Sequence, residues 1–410
     1  MRKISILLLL AFTFVFLYTP PLTIFPLQAD ILIYGVMALA ICIVGNVWGF
    51  IRVPGLNRTY FCILLLLLYA TLMMIASPDK NVGMMDLNIV RIIRFLIEVI
   101  IFPYVLVKVF VAKRVFREEI VQYLIYLAIF QAYISVLMIF VPPFKDFVTT
   151  FIIVFSESNK LSAESLLNER VFGIGSEYLF GLPIFQAMMA CVYITVTKKK
   201  SFFFFFNLIC LICSAIFCAR TSLFVFACYY LYYFLLNFRK HLGISIISMG
   251  IIGGVVYMAY NFLMSIDDIV AIEHFNRAFN GQYEGGYDAL LDTMLYFPDD
   301  FITWVFGDGT YPFFAKRNSD IGYVNDLFFG GLLYLSLEFF SLYFLFNNAR
   351  KADYLQNILP LLFMALIVLH YKGCVYGGNN FMKGIMILYY TVFIAKSEVM
   401  PAGVIDKSNI

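Results

Sequence analysis

Long apolar segments alternate with short polar connections along most of this chain. A helix needs about 20 apolar residues to cross a bilayer. Segments near this length lie at roughly 4–23, 30–50, 60–76, 88–110, 119–141, 177–197, 202–218, 221–237, 242–263, 323–346, 356–371 and 379–396. The pattern predicts an all-α polytopic integral membrane protein with about 12 transmembrane helices. Residues 1–410 then form a single transmembrane domain.

Basic residues test this arrangement, because cytoplasmic connections are enriched in lysine and arginine. They occur at every second boundary between the apolar segments, namely at Arg2/Lys3, Arg52/Arg58, Lys113/Arg114/Arg117, Lys198–Lys200, Arg239/Lys240, Arg350/Lys351 and Lys396. Both termini are therefore expected in the cytoplasm. The first apolar run resembles a signal peptide, but it continues to Ile24 past Pro20 and Pro21, which favours an uncleaved span.

Two connections on the outer side are long. Residues 142–177 contain an apolar run, 147–155, that is too short to cross a bilayer and suits a re-entrant or interfacial helix. Residues 265–322 form a large outer loop that is polar and rich in aromatic side chains. Their apolar spacing predicts two amphipathic helices, over 269–279 and 290–295.

The end of the large loop carries further local signals. Residues 297–300 are expected to start a short third helix that carries Phe301, Trp304 and Val305. Gly307-Asp308-Gly309 then predicts a tight turn.

Composition supports membrane insertion and excludes several functions. The chain is 62% hydrophobic and 13% charged, whereas soluble domains are about half apolar and a quarter charged. It carries no evident basic face, so nucleic acid is not an expected partner. No P-loop, Rossmann or nucleophile-elbow motif occurs, and we expect no cofactor. Asp267–Asp268 and Asp299–Asp300 lack a nearby histidine, so no metal site is expected either.

Charges within apolar segments are costly and are candidates for function. Arg91, Arg94 and Glu98 lie in the fourth segment. Arg94 and Glu98 are four residues apart on one helical face and are expected to pair, which leaves Arg91 as the freer charge. Glu338, in the tenth segment, has no evident partner in the sequence.

Two arginines fall on the predicted outer side. Arg220 lies in the short link Cys218-Ala219-Arg220-Thr221-Ser222 between two spans. The positive-inside rule disfavours a cation there, so it is expected to bind a phosphate or to pair with a loop carboxylate. Arg170 precedes the sixth span, between Glu169 and Glu177. These carboxylates either pair with Arg170 or act in catalysis.

Further candidates lie near the ends of spans on the same side. His370 and Lys372 end the eleventh span. A histidine there is either a general base or a satisfied interfacial residue. Asp320 stands where the large loop returns to the membrane, and is expected to cap the next helix, to orient a catalytic group or to bind a sugar hydroxyl.

These features together resemble the bacterial O-antigen polymerases, within the superfamily of metal-independent membrane glycosyltransferases that also contains the O-antigen ligases. The likeness spans roughly residues 30–395 and depends on short motifs: the arginine–glycine segment near Arg170, the Ala-Arg-Thr-Ser turn at Arg220, and a long outer loop ending in Gly-Asp-Gly…Ser-Asp-Ile-Gly-Tyr. These motifs indicate the superfamily more strongly than they separate polymerase from ligase.

The resemblance implies a function at the outer face of the bacterial inner membrane. The substrates would be oligosaccharides on undecaprenyl pyrophosphate, with membrane lipids and a chain-length regulator protein as further partners. The cations expected to stabilise the departing pyrophosphate are Arg170 and Arg220, followed by Arg91 and Lys372. The base is expected among His370, Glu169, Glu177 and Asp320. Loop aromatics are expected to stack on sugar rings, with Trp304, Tyr311 and Tyr287 among them.

Two alternatives remain open. An O-antigen ligase would transfer the polymer to a lipid A–core acceptor. A flippase for lipid-linked oligosaccharide, or another transporter, is expected to line a central cavity with charges from many spans. Because most charges outside the loops are predicted to lie at span ends, transport is less favoured.

Overall fold

The computed structural model describes residues 2–20, 29–76, 82–151, 173–175, 181–219, 221–232, 294–310, 319 and 321–397. Every regular element within these ranges is a helix. The α-helices are α1 (Arg2–Tyr18), α2 (Ala29–Val44), α3 (Leu56–Ala76), α4 (Val82–Arg94), α5 (Phe102–Ala112), α6 (Arg117–Phe140), α7 (Pro142–Phe151), α8 (Gly181–Val196), α9 (Phe202–Cys218), α10 (Ser222–Tyr232), α11 (Phe301–Phe306), α12 (Gly322–Ala349), α13 (Leu359–Leu369) and α14 (Asn380–Ile394).

Four helical stretches are long and apolar enough to cross a membrane: Leu56–Ala76, Asn88–Ala112, Arg117–Phe140 and Gly322–Ala349. They coincide with four of the predicted spans and confirm a helical membrane protein. Seven other apolar helices have 10–17 residues and fall within further predicted spans. The predicted span at 242–263 lies outside the described residues, and the total of 12 stays a prediction.

The helix that contains Arg91 changes from α-helical to π-helical geometry directly after α4. Residues Phe95–Ile101 form a π-helix between α4 and α5. Pro103 follows at the start of α5, and its ring has no N–H to donate to the preceding turn. Inserted π turns often occur at functional sites, and this one contains Glu98.

Helix α12 is broken near its middle. Gly331 has φ +66° and ψ −167°, a combination that is essentially restricted to glycine. The chain on either side is helical, so α12 consists of two helical halves joined at this residue.

The core surrounds α14, which is buried from Asn380 to Val392. A helix that is apolar on all sides belongs inside a bundle, and α14 packs against α1, α5, α8 and α13. Gly384 permits the close approach to α8, because a Cβ there would overlap the ring of Phe185.

Several of the predicted cytoplasmic boundaries meet at one end of the bundle. Arg117 forms an ion pair with Asp353 at 2.8 Å, and its backbone N–H donates to the carbonyl of Lys396 at 3.0 Å. The guanidinium of Arg58 lies over the ring of Phe344. Three of the basic segments that the positive-inside rule places on one side, those of Arg58, Arg117 and Lys396, therefore lie near the C-terminal end of α12.

Parts of the two long connections are described. Residues 142–151 form the helix α7, which packs against α6. The predicted short helix of the large loop is confirmed as α11, and the Asp300 side chain caps it by accepting from the Thr303 N–H at 2.8 Å. Most of the two predicted amphipathic helices lies outside the described residues.

Candidate functional site

Arg91 is the centre of a buried network of charged side chains. Its Nη2 donates to Asp326 Oδ1 at 2.6 Å, to the Tyr334 hydroxyl at 3.0 Å and to Glu338 Oε1 at 3.2 Å. Asp326 and Glu338 are buried, and the Arg91 side chain is 13% exposed. The expectation that Arg91 is the freer charge is therefore wrong, and Glu338 has a partner that lies far away in the sequence.

The break at Gly331 makes this arrangement possible. Asp326 and Glu338 are twelve residues apart, which in a continuous α-helix corresponds to about 18 Å along the axis. Their side chains are too short to meet across that distance, yet their carboxylate oxygens lie within 4.8 Å of each other. The two halves of α12 are thus folded so that one guanidinium binds both carboxylates.

His370, at the end of α13, completes the network. Its Nε2 lies 3.0 Å from Asp326 Oδ2, although the angle is poor for a hydrogen bond. Its Nδ1 accepts from the Val375 backbone N–H at 3.3 Å. A ring nitrogen that accepts carries no proton, so this geometry assigns the proton to Nε2, facing the carboxylate. Both ring nitrogens face protein groups, which does not favour His370 as a base for an incoming hydroxyl.

Asp326, Glu338 and His370 have the donor atoms of a divalent metal site. Arg91, however, places its guanidinium within 3.2 Å of both carboxylates. A metal ion would have to displace this cation or tolerate its repulsion. The arrangement fits a hydrogen-bonded ion network better than a metal centre.

A second charged cluster lies about two turns further along the chain from Arg91, at Glu98 in the π-helix. This carboxylate contacts Arg94 Nε at 2.7 Å, Lys383 Nζ at 3.1 Å and the Tyr34 hydroxyl at 2.8 Å. The predicted Arg94–Glu98 pair is confirmed. Lys383 is buried and also lies over the Phe16 ring at 5.3 Å.

The connection between α13 and α14 passes along both clusters. A Cβ on Gly378 would lie 2.6 Å from Glu98 Oε2, and one on Gly377 would lie 3.5 Å from Arg91 Cγ. Among the described residues the two clusters hold three cations and three carboxylates, whose formal charges balance when His370 is neutral. These are Arg91, Arg94 and Lys383 with Glu98, Asp326 and Glu338.

The described end of the large loop contacts the break in α12. The backbone N–H groups of Asp308 and Gly309 donate to the carbonyls of Phe328 and Phe329 at 2.8 and 3.1 Å. The Tyr69 hydroxyl of α3 donates to the carbonyl of Phe306 at 2.6 Å. Gly307 and Gly309 both have positive φ, of +72° and +80°, which fits the predicted turn. The loop and the charged network are thus joined through the backbone of α12.

Trp304 lies on α11, and its ring stacks on Phe297 with centroids 5.4 Å apart. A sugar would therefore have to bind the opposite face of the indole or displace Phe297. Lys372 lies two residues beyond His370 and is partly buried. The remaining predicted site residues lie outside the described residues: Glu169, Arg170, Glu177, Arg220, Asp320, Tyr287 and Tyr311. Their roles stay predictions.

The sequence interpretation missed Asp326, Tyr334 and Lys383. Asp326 and Lys383 are charges inside apolar segments, so the rule that identified Arg91 applies equally to them. Tyr334 carries no such signal. The expectation that most charges outside the loops lie at span ends stays a prediction. It did not anticipate that charged side chains from α4, the π-helix, α12 and α14 meet inside the bundle. No protein-family model matches the chain, nor does any curated protein or solved structure.

Proposed function

We propose that this protein is a membrane glycosyltransferase that polymerises oligosaccharides carried on undecaprenyl pyrophosphate. One observation carries the proposal: a buried network of cations and carboxylates is joined, through the broken helix α12, to the polar loop in which the sequence predicts sugar binding. Such a network is costly inside a membrane. A purely structural subunit would gain little from it.

The chemistry requires cations where charge develops on the departing pyrophosphate. Donors that are already held in place stabilise such charge without reorganisation. In the proposal Arg170 and Arg220 contact the phosphates directly. Arg91 is already paired with Asp326 and Glu338, so in this conformation the proposal gives it no direct contact with the phosphates.

A base must also accept the proton of the attacking sugar hydroxyl. His370 faces Asp326 and the Val375 N–H, so in the proposal it orients Asp326. The base is then one of Glu169, Glu177 and Asp320. No metal takes part.

The proposed orientation follows from the two ends of α12. The contact between Arg117 and Asp353 lies near its C-terminal end, whereas the loop contacts Phe328 and Phe329 lie in its N-terminal half. The positive-inside rule favours the cytoplasm for the basic end. The large loop would then face outward, where lipid-linked repeat units are extended.

The test is chain extension by purified protein in liposomes that contain only lipid-linked repeat units and a chelator. The proposal expects a ladder of products with increasing numbers of repeats. Arg170→Ala and Arg220→Ala should each remove the long products, whereas Arg117→Ala, which disrupts an ion pair at the opposite end, should retain them. An intact protein that makes no ladder would refute polymerase activity, and a product formed only with a lipid A–core acceptor would indicate a ligase.

A transporter is the second candidate, and a specific observation favours it. Charged side chains from four helical elements meet inside the bundle, as in proteins that carry ions or polar substrates across membranes. Movement of fluorescent lipid-linked oligosaccharide between leaflets, without extension, would support this function over polymerisation.

A further inference from the structure

The break in α12 leaves backbone carbonyls that the helix itself does not satisfy in the usual way. In a continuous α-helix the carbonyls of Phe328 and Phe329 accept from the N–H groups four residues later, those of Leu332 and Leu333. Here they accept from Asp308 and Gly309, at 2.8 and 3.1 Å. The loop thus supplies the donors that a continuous helix would supply.

We call residues 300–309 the strap. The strap packs against α12 at two glycines, where the two backbones are in contact with no side chain between them. A Cβ on Gly331 would overlap the carbonyl of Val305, and a Cβ on Gly307 would lie 2.5 Å from the Gly330 nitrogen. Both glycines also have positive φ. The strap and the break therefore fit each other only in this combined conformation.

We propose that the strap is a clamp that holds α12 broken and thereby holds the charged network around Arg91 together. If the strap leaves, the carbonyls of Phe328 and Phe329 lose their donors within an apolar environment. Unsatisfied backbone groups are strongly disfavoured there. Closing α12 into a continuous helix restores the bonds from Leu332 and Leu333, so the two events are linked.

Closure of α12 changes the surroundings of Arg91. A continuous helix separates Asp326 and Glu338 by about 18 Å along its axis. Arg91 now contacts both carboxylates, at 2.6 and 3.2 Å, and it would retain at most one of them. Movement of the strap would thus remove one of the two carboxylates that face Arg91, which makes the surroundings of the guanidinium less negative and more favourable for an anion.

The coupling between strap and helix stands without any assumption about the substrate. Its use depends on the proposed function: release of the strap would leave Arg91 with one carboxylate fewer, and so better able to bind the phosphates of an incoming lipid-linked sugar. The loop would then control access to the network rather than only cover it.

Hydrogen–deuterium exchange in lipid nanodiscs tests the clamp, with Gly331→Ala as the main variant. Alanine favours the continuous helix, and its Cβ displaces the strap. We expect the amides of Asp308 and Gly309 to exchange at least roughly tenfold faster, while those of Leu332 and Leu333 exchange more slowly. Faster amide exchange in the strap together with slower amide exchange in α12 is the result that the clamp predicts.

Gly45→Ala is the matched control, because Gly45 also has positive φ, +72°, but an added Cβ there meets nothing within 4 Å. It should leave both sets of amides unchanged. Tyr69→Phe removes the hydroxyl that bonds the strap at Phe306 and keeps every glycine. It should shift exchange in the same two directions by a smaller factor, and it tests the clamp even if Gly331→Ala does not fold.

Faster exchange at both sets of amides would indicate local unfolding and overturn the proposal, as would unchanged exchange in Gly331→Ala and Tyr69→Phe. The measurement needs no substrate. A protein that shows the opposite changes in exchange but no chain extension would refute polymerase activity and support the clamp. A protein that extends chains but lacks the opposite changes in exchange would support the polymerase and refute the clamp.

Discussion

Replacing Arg91 by methionine should destabilise the bundle strongly. The substitution keeps an unbranched apolar side chain but leaves Asp326 and Glu338 with oxygens within 4.8 Å of each other and without their shared cation. When both carboxylates are ionised, unit charges at that distance repel by about 3.5 kcal/mol at an effective dielectric constant of about 20. Measured losses after removing one partner of a buried ion pair are about 3–5 kcal/mol. We expect a loss in this range.

The assay is unfolding of the purified protein in a mixed micelle titrated with a denaturing detergent, followed by far-UV circular dichroism. Arg117→Met is the matched control, because the Arg117 side chain is 15% exposed, close to the 13% of Arg91. Its partner Asp353 is 73% exposed, so water can solvate the carboxylate that remains. Loss of such a pair costs up to about 1 kcal/mol.

A second substitution tests the physical cause. Glu338→Gln removes one of the two carboxylates, so adding it to Arg91→Met should recover much of the lost free energy of unfolding. The same change added to Arg117→Met should give no recovery. The reasoning is refuted if Arg91→Met costs no more than Arg117→Met, or if Glu338→Gln fails to rescue it.

Three further predictions follow from the described contacts. Lys383→Met should lower the free energy of unfolding less than Arg91→Met does under the same titration, because Glu98 keeps an arginine and a tyrosine hydroxyl. The pKa of the exposed Asp300 carboxyl lies below its ordinary value because the side chain and backbone of Thr303 donate to it. The helix cap that Asp300 forms therefore stabilises the strap at pH values above the ordinary carboxyl pKa, and it is lost as the pH falls through the lowered pKa. Trp304 fluorescence, measured with the other tryptophan replaced by phenylalanine, should change in that acidic range. It should not change there in Asp300→Asn. Gly384→Ala should cost roughly 1–3 kcal/mol in thermal or detergent unfolding, because the new methyl group overlaps a phenylalanine of α8.

The two irregular segments near the charges share a physical logic. A regular helix presents its side chains at fixed spacing, and it leaves no backbone groups for other segments to bind. The π-helix holds Glu98, and the break at Gly331 brings Asp326 to Glu338. Both departures from regular geometry therefore occur where charged groups must be gathered.

Local patterns were enough to predict the class of protein and several of its parts. Apolar runs of membrane length predicted helices at 56–76, 88–112, 117–140 and 322–349 to within a few residues. The spacing of four predicted the pair of Arg94 and Glu98. The sequence at 297–309 predicted the short helix and the turn after it. Each of these depends on neighbours along the chain, which is why sequence alone sufficed.

The network around Arg91 was decided by tertiary structure. Arg91 and Asp326 are 235 residues apart, and no periodicity connects positions so far from each other. Glu338 joins them only because Gly331 breaks the helix, and that break persists because a loop segment supplies the missing backbone donors. The sequence determined that charges enter the membrane; packing and backbone hydrogen bonding, which act between distant segments, determined which of them meet.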